Sequence, residues 1–217
     1  MALSRELMAM RVARELAPGM VVNLGIGLPT LVAGFAPAGV MFQAENGILG
    51  YGGIVVDDDR FDSDVINAGG QPVEILPGAC YFASDASFAM IRGGHVDVAV
   101  LGGLQVSERG DLANWLVPSR GGGSIGGAMD LAVGARRVIV VMEHTTRDGE
   151  ARILPSCTYP LTGTACVRLI VTDLAVIEVT DAGLALREVA PGVTAAEVVE
   201  RTAARLVVPP HIDEMRL

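Results

Sequence analysis

The sequence is poor in aromatic residues, at 4%, and in cysteine, with three in 217 residues. Few bulky rings beside 27 glycines exclude a core built on aromatic packing. They point instead to tightly packed layers in which glycine-rich loops join buried strands to helices. Cys80, Cys157 and Cys166 are odd in number and form no Cys-x-x-Cys pair. That excludes a disulfide scaffold and leaves reduced, structural thiols in a reducing compartment. No run of lysine or arginine makes a basic stripe, and the formal net charge is −9. Nucleic acid is therefore not an expected partner. A polyanionic ligand would have to be held by local amides, a few placed cations or another subunit. No apolar run reaches the roughly 18 residues that a bilayer span requires. The first 19 residues carry Arg5, Glu6, Arg11, Arg14 and Glu15. They read as an amphipathic helix rather than a signal peptide. The chain is read as soluble and cytoplasmic, with no membrane partner.

What is abundant is hydrophobic residue content, 51% of the chain, which excludes disorder. The length fits one domain spanning residues 1–217 and suffices to bury a sizeable core. Ser4 is placed to cap a first helix running to about residue 16, with Pro18-Gly19 as the stop. Apolar strands are predicted over residues 21–24, 40–44, 73–76, 96–101 and 138–142. The third is closed by Pro77-Gly78. A hairpin is predicted from 175–179 and 184–189 about Asp181-Ala182-Gly183. Helices are predicted to start after residue 30, at Ser84, at Ala128, and after the cap Thr194, the last running to 206. Residues 51–64, with Asp57, Asp58, Asp59, Asp62 and Asp64, read as a solvated loop. Strands that are apolar without alternation, interleaved with helices, imply an α/β fold: an open, mostly parallel sheet flanked by helices. Ligands of such sheets bind at the carboxyl ends of strands. Residues 25–30, 45–47, 102–103 and 140–144 all follow strands.

Four features could carry chemistry. Glu45 follows an apolar-rich strand and precedes Asn46-Gly47. It is either an ordinary strand-end carboxylate in a turn or a displayed carboxylate, made a stronger nucleophile or base by loss of water. Gly25-x-Gly27 lacks the third glycine of a dinucleotide fingerprint and an acidic ribose partner, so a nicotinamide site is rejected. The turn can bring backbone amides to a ligand, or it can be a tight strand-to-helix turn. Residues 121–127 are all glycine except Ser124 and Ile125. Such a stretch costs conformational entropy unless backbone must come close to something. The amides of Gly126 and Gly127, just before a helix, are placed to hold an oxyanion, unless the segment is a surface loop. His95, His144 and His211 show no ligand spacing, and no metal site or nucleophilic serine motif is expected.

Taken together these residues resemble a known family. Residues 23–30, Glu45-Asn46-Gly47-Ile48-Leu49-Gly50, Asn67-Ala68-Gly69, residues 87–95, residues 110–115, Gly126-Gly127-Ala128-Met129-Asp130 and Pro160-Leu161-Thr162-Gly163 resemble the B subunit of class I, 3-oxoacid CoA-transferases. The order is kept from about Arg11 to Val208. The resemblance implies the open α/β sheet shared with ribose-5-phosphate isomerase-like proteins. It implies CoA transfer between an acyl-CoA, succinyl-CoA, and a 3-oxo acid, 3-oxoadipate or acetoacetate. Glu45 would be the nucleophile that carries CoA as a thioester, with Gly127 at the oxyanion. Asn23, Gly25, Gly27, Asn46, Gly47, Gly102, Gly126 and Arg120 would contact substrate or CoA. No metal or redox cofactor is implied, and the partner is an A subunit in an α2β2 assembly.

The chain departs from that family at Ala44, where serine is common, and at Tyr51-Gly52-Gly53-Ile54, which lacks a proline. It also departs at Gly70 and at residues 119–124, where lysines are common and Arg120 is the remaining cation. Two other readings stay open from sequence: an acyl-CoA lyase or decarboxylase on the same scaffold, and a non-catalytic ligand-sensing subunit.

Overall fold

The computed structural model describes residues 2–56 and 62–217. Asp57, Asp58 and Asp59 of the acidic cluster lie outside the described residues, while Asp62 and Asp64 are exposed. The chain opens with α1 (Arg5–Ala13), whose N-terminus is capped by the Ser4 side chain. Three residues beyond its end, to Leu16, continue in i to i−3 hydrogen bonds, the usual tightening of a last turn. Then follow β1 (Val21–Leu24), a 3-10 helix (Leu28–Gly34), β2 (Met41–Ala44), β3 (Ile48–Ile54), β4 (Val73–Tyr81), α2 (Ser84–Arg92) and β5 (Val98–Gly102). The middle of the chain supplies β6 (Gln105–Ser107), β7 (Leu112–Ala113), α3 (Ala128–Gly134), β8 (Arg137–Val141) and β9 (Ile153–Leu154). The end supplies β10 (Val167–Val171), β11 (Ala175–Thr180), β12 (Gly183–Val189), α4 (Ala195–Glu200), β13 (Leu206–Val207) and β14 (Asp213–Glu214).

One sheet runs in the order β13-β12-β11-β10-β8-β5-β1-β2-β3-β4, with β14 beside β12. Its five middle strands, β10, β8, β5, β1 and β2, are parallel. The antiparallel pairs β2–β3, β3–β4, β10–β11 and β11–β12 extend it on both sides. The central strands are apolar on both faces because both faces are covered. Val22, Val98, Val100, Ile139 and Val141 pack with Met8 and Val12 of α1. Ala99, Leu101, Val138 and Val140 pack with Ile91 of α2 and Leu131 of α3. From β1 the chain turns to β2 on one side, and from β5 to β8 on the other. The carboxyl ends of β1 and β5 therefore open a crevice at the point where the connections diverge.

Several sequence expectations change here. Residues 51–54 are strand, not loop, and Tyr51 is buried. β4 runs straight through Pro77-Gly78. It lies at the end of the strand order, where a proline without an N–H loses no ladder bond. A register shift between Leu49 and Tyr51 absorbs the extra residues. Ser84 is the first helical residue rather than the cap, which is Ala83 without a side-chain bond. The helix start after residue 30 is a 3-10 helix that begins at Leu28. α4 stops at Glu200 because Leu206 and Val207 pair with β12; its start is secured by a capping box between Thr194 and Glu197. β10 and the small sheet β7-β6-β9 were not expected.

Two buried polar clusters lock the helices to the sheet. Arg11 of α1 bonds Glu188 of β12 through two nitrogens at 2.7 and 2.8 Å and Glu15 at 2.9 Å; Glu15 also takes Arg137 of β8 at 2.7 Å. Burial alone would push the Glu15 carboxyl up, but the bonds from Arg137 and Arg11 outweigh it and hold it below its usual value. Beyond β8, His144 is fully buried between Thr172 Oγ1 and Thr202 Oγ1, each at 2.9 Å. Burial, with Arg201 nearby, pushes its imidazole down from 6.5 to about 4. The unfolded chain thus takes up this proton first as pH falls. The stability of the neutral ring is complete above pH 6.5 and declines until the folded ring also protonates near pH 4. Melts across that window should show a loss on the order of 3 kcal/mol. A His144→Gln variant should show a shallower pH dependence; equal slopes would refute the assignment.

Candidate active site

Glu45 follows the last residue of β2 and is half-buried. Its turn leaves little choice of residue. Gly47 N donates to Ala44 O at 3.0 Å, and Gly47 O accepts from Phe82 N at 3.0 Å. Gly47 has φ +125°, and a Cβ there would collide with the Phe82 carbonyl oxygen. The Asn46 side chain points to the Ile66 carbonyl, 2.8 Å away, tying the turn to the neighbouring loop. In that loop Asn67 Oδ1 accepts from Gly69 N and Gln71 N.

Glu45 Oε2 accepts from Asn23 Nδ2 of β1 at 3.1 Å. Beneath it Tyr51 is buried, and burial, with the Glu45 charge adding to it, pushes its phenol well above the ordinary range. Tyr51 therefore stays neutral, stacked obliquely on Phe42 with ring centroids 5.5 Å apart. Above Glu45 opens a cavity of ≈360 Å³ bounded by Gly25, Gly102, Leu104, Asn114, Gly126 and Gly127, among others. Gly127 stands at the start of α3. A Cβ on it would lie 3.0 Å from Phe88 Cε1 and 3.4 Å from Glu45 Cγ. The backbone at Gly127 thus lies close to Phe88 and to the Glu45 side-chain stem because it carries no side chain. Among the described residues lining this cavity, Glu45 is the one ionisable side chain.

The predicted site residues separate into four groups. Glu45, Gly25, Gly102, Gly126 and Gly127 share the cavity, and Asn23 supports it from below. Gly27 lines a separate shallow depression with Ile26 and Gly69, while Asn46 and Gly47 build the turn rather than the cavity. Arg120 lies in an adjoining groove of ≈450 Å³ that shares Leu104 and is also lined by Arg147 and Arg152 and by Glu143, Asp148 and Glu150. A larger cavity, ≈580 Å³ at the β11–β12 hairpin, contains none of the predicted residues. We assign the chemistry to the Glu45 cavity because it lies where the strand connections diverge. Asn114, Gln43 and Ser87 were missed from sequence. Gln43 carries a signal in retrospect: it is a polar residue inside an otherwise apolar strand.

Other chemistries find less support. Among the described residues no group of three or more His, Cys, Asp or Glu side chains could hold a metal ion. The cysteines are free, and burial pushes the Cys157 and Cys166 thiols up to about 11. No helix among the described residues is long and apolar enough to cross a membrane. The arrangement suits attack by one carboxylate on a carbonyl, beside a close backbone segment able to face a developing oxyanion.

Known proteins share this chain's sequence pattern and fold. A family model described as Coenzyme A transferase matches residues 5–201. The chain is 48% identical over 207 residues to the B subunit of a probable succinyl-CoA:3-ketoacid coenzyme A transferase of Bacillus subtilis, covering 94% of this chain and 95% of that one. It is 53% identical over 189 residues to the B subunit of a 3-oxoadipate CoA-transferase of Pseudomonas putida, covering 86% and 88%. Its fold is similar to that of an acyl-CoA transferase (YdiF) of Escherichia coli O157:H7, in a thioester complex with CoA. That match has a TM-score of 0.76 and 20% identity, over 98% of this chain and 43% of that longer one.

The turn at Gly47 yields a direct test. Gly47→Ala adds a side chain where φ is positive and the Phe82 carbonyl already fills the space. It should destabilise the chain by about 2–4 kcal/mol, read as a lowered thermal midpoint. A midpoint unchanged within error would show that the turn relaxes freely.

Proposed function

The chain belongs to the coenzyme A transferase family, and on that premise we propose that it is the B subunit of a two-subunit enzyme in which Glu45 carries CoA. The donor is succinyl-CoA and the acceptor is a 3-oxo acid, 3-oxoadipate or acetoacetate; the relatives' names carry both a 3-ketoacid and 3-oxoadipate. One observation supports the nucleophile above all: Glu45 is the single ionisable group among the described residues lining its cavity, held by Asn23 and faced by Gly127. A lone carboxylate offers no acid–base pair, but substitution at a thioester by a carboxylate moves no proton.

The steps follow from that. A Glu45 oxygen bonds the acyl carbon, the C–S bond breaks, and CoA leaves as thiolate with the electron pair. The thiolate then bonds the Glu45 Cδ, and the acid departs as carboxylate, taking the bridging oxygen. The enzyme now holds a glutamyl-CoA thioester. The second acid repeats both steps in reverse. No oxidation state changes, so the chemistry calls for no redox cofactor, and we assign no metal to it. The Gly127 amide faces the tetrahedral oxygen, with a further donor from an A subunit. Gly25, Gly102 and Gly126 leave room for the thiol end of CoA. The 16 Lys and Arg positions of the chain are all arginine. The CoA phosphates therefore fall to the guanidinium groups beginning at Arg120, in the groove that adjoins the cavity. An A subunit completes the acid pocket in an α2β2 assembly.

Two experiments test the reading in the assembled complex. Glu45→Ala should lower CoA exchange by at least about 10³-fold. In the wild type, acyl-CoA followed by borohydride should change the mass of the Glu45 peptide. Retained exchange, or an unmodified Glu45 peptide in an active enzyme, would overturn it. Separately, Gly127→Ala sets a methyl against Phe88 and Glu45. It should lower kcat by roughly 10- to 100-fold while the far-ultraviolet spectrum is unchanged; an unaltered kcat would remove Gly127 from the reaction.

A further inference from the structure

The sheet face beneath α2 and α3 is apolar along β5 and β8, where Ala99, Leu101, Val138 and Val140 are buried. The neighbouring strand pair departs from this. Asn23 of β1 and Gln43 of β2 stand opposite each other in the parallel register. Glu45 follows two residues after Gln43, on the same face by the period of a strand. Asn23 is 0% exposed, Gln43 1% and Ser87 of α2 0%. Three polar side chains thus occupy positions where hydrophobic residues would stabilise the fold more simply.

They form one directed chain of hydrogen bonds. Asn23 Nδ2 donates to Glu45 Oε2 at 3.1 Å and to Gln43 Oε1 at 2.7 Å, and Gln43 Nε2 donates to Ser87 Oγ at 2.7 Å. The Gln43 backbone carbonyl is a third acceptor for Asn23 Nδ2, at 3.1 Å. Turning the Asn23 amide over would set its oxygen against three acceptors. Turning Gln43 over would set N–H against N–H. The Gln43 amide must therefore find its acceptor in α2, and Ser87 supplies it. The arrangement has a cost: Asn23 Oδ1 is buried with no partner among the described residues. An unsatisfied buried acceptor asks for a reason other than stability.

We propose that Gln43 and Ser87 are positioning residues for CoA transfer: through Asn23 they hold Glu45 Oε2 and leave Oε1 free to attack. The proposal rests on the reading of Glu45 as nucleophile. Carboxylate, mixed anhydride and thioester each present an acceptor oxygen at the Oε2 position. One donor thus serves every covalent state, and no relay atom changes place during turnover. Without the Ser87 hydroxyl, Gln43 Nε2 loses its buried acceptor and the Gln43 side chain its anchor on α2, so the oxygen that Asn23 meets is no longer held in place. Loss of aim, rather than loss of substrate binding, is the consequence.

The test uses the complete enzyme with its A subunit, and compares Ser87→Ala, Ser87→Thr, Gln43→Leu and Glu45→Ala. We expect Ser87→Ala and Gln43→Leu each to lower kcat and the rate of glutamyl-CoA thioester formation by roughly 10- to 100-fold, with KM for acyl-CoA within about twofold. Ser87→Thr, which keeps the hydroxyl, should restore most of the rate. The double variant Ser87→Ala/Gln43→Leu should be no slower than Gln43→Leu alone, since both break one chain. If Gln43→Leu does not assemble, the comparison of wild type with Ser87→Ala decides the matter, because the two differ by the hydroxyl alone. Wild-type thioester formation in Ser87→Ala, or a rise in KM at constant kcat, overturns the relay while leaving Glu45 in place. Activity surviving in Glu45→Ala overturns the reading on which the relay rests.

Discussion

The parallel register of β1 sets where every group in the site can stand. Asn23 lies opposite Gln43 on one side and Ala99 on the other. A slip of one residue in β1 or β2 would turn the polar groups of that strand toward α1. The apolar residues between them forbid it. Val22, Leu24, Phe42 and Ala44 alternate with Asn23 and Gln43 and are buried in the cluster that includes Met8 and Val12 of α1. The hydrophobic face thus fixes the polar one. Because Glu45 is the residue after β2, the same register delivers it to the crevice.

Burial then acts on the polar groups in two different ways. The Arg11, Glu15, Arg137 and Glu188 cluster ties α1 to β8 and β12. Ion pairs of this kind repay their desolvation only when well bonded, and Arg11 meets both Glu188 oxygens. This cluster orients α1 on the sheet. The Asn23 amide, in contrast, leaves one oxygen without a partner among the described residues. The first pattern belongs to the fold. The second borders the cavity, and a cost tolerated there is consistent with a group held for chemistry.

The site is also asymmetric in charge. Its cavity has one ionisable side chain among the described residues, and the cations Arg120, Arg147 and Arg152 stand in the adjoining groove. Arg152 is already engaged with Glu143 at 3.4 Å. A reacting centre without cations among its described lining residues leaves the carboxylate unpaired there, while the arginines of the groove stand beside Glu143, Asp148 and Glu150. The proposed division between a thiol end at Glu45 and phosphates at the arginines follows that separation.

Much of this was legible in the linear sequence. Apolar runs without alternation specify a parallel sheet covered on both faces, and Glu45-Asn46-Gly47 after such a run specifies a carboxylate at a strand end. These depend on residues adjacent in the chain, where hydrophobic period and turn chemistry act locally. Other features needed partners distant in sequence. Residues 51–54 became strand because β2 and β4 pair with them, and Pro77 was tolerated because β4 lies at the sheet's end. α4 stopped early because β13 had a partner in β12. Gly25, Gly102 and Gly127 come to one cavity with Glu45 from three separate segments, and Ser87 meets Gln43 only once α2 lies on the sheet. The chain alone determined which strand presents Glu45, and its resemblance to a family made that carboxylate the nucleophile candidate. Tertiary packing alone decided what surrounds it, since hydrogen bonds and close contacts across tens of residues exist only after the register and the helix placement are set.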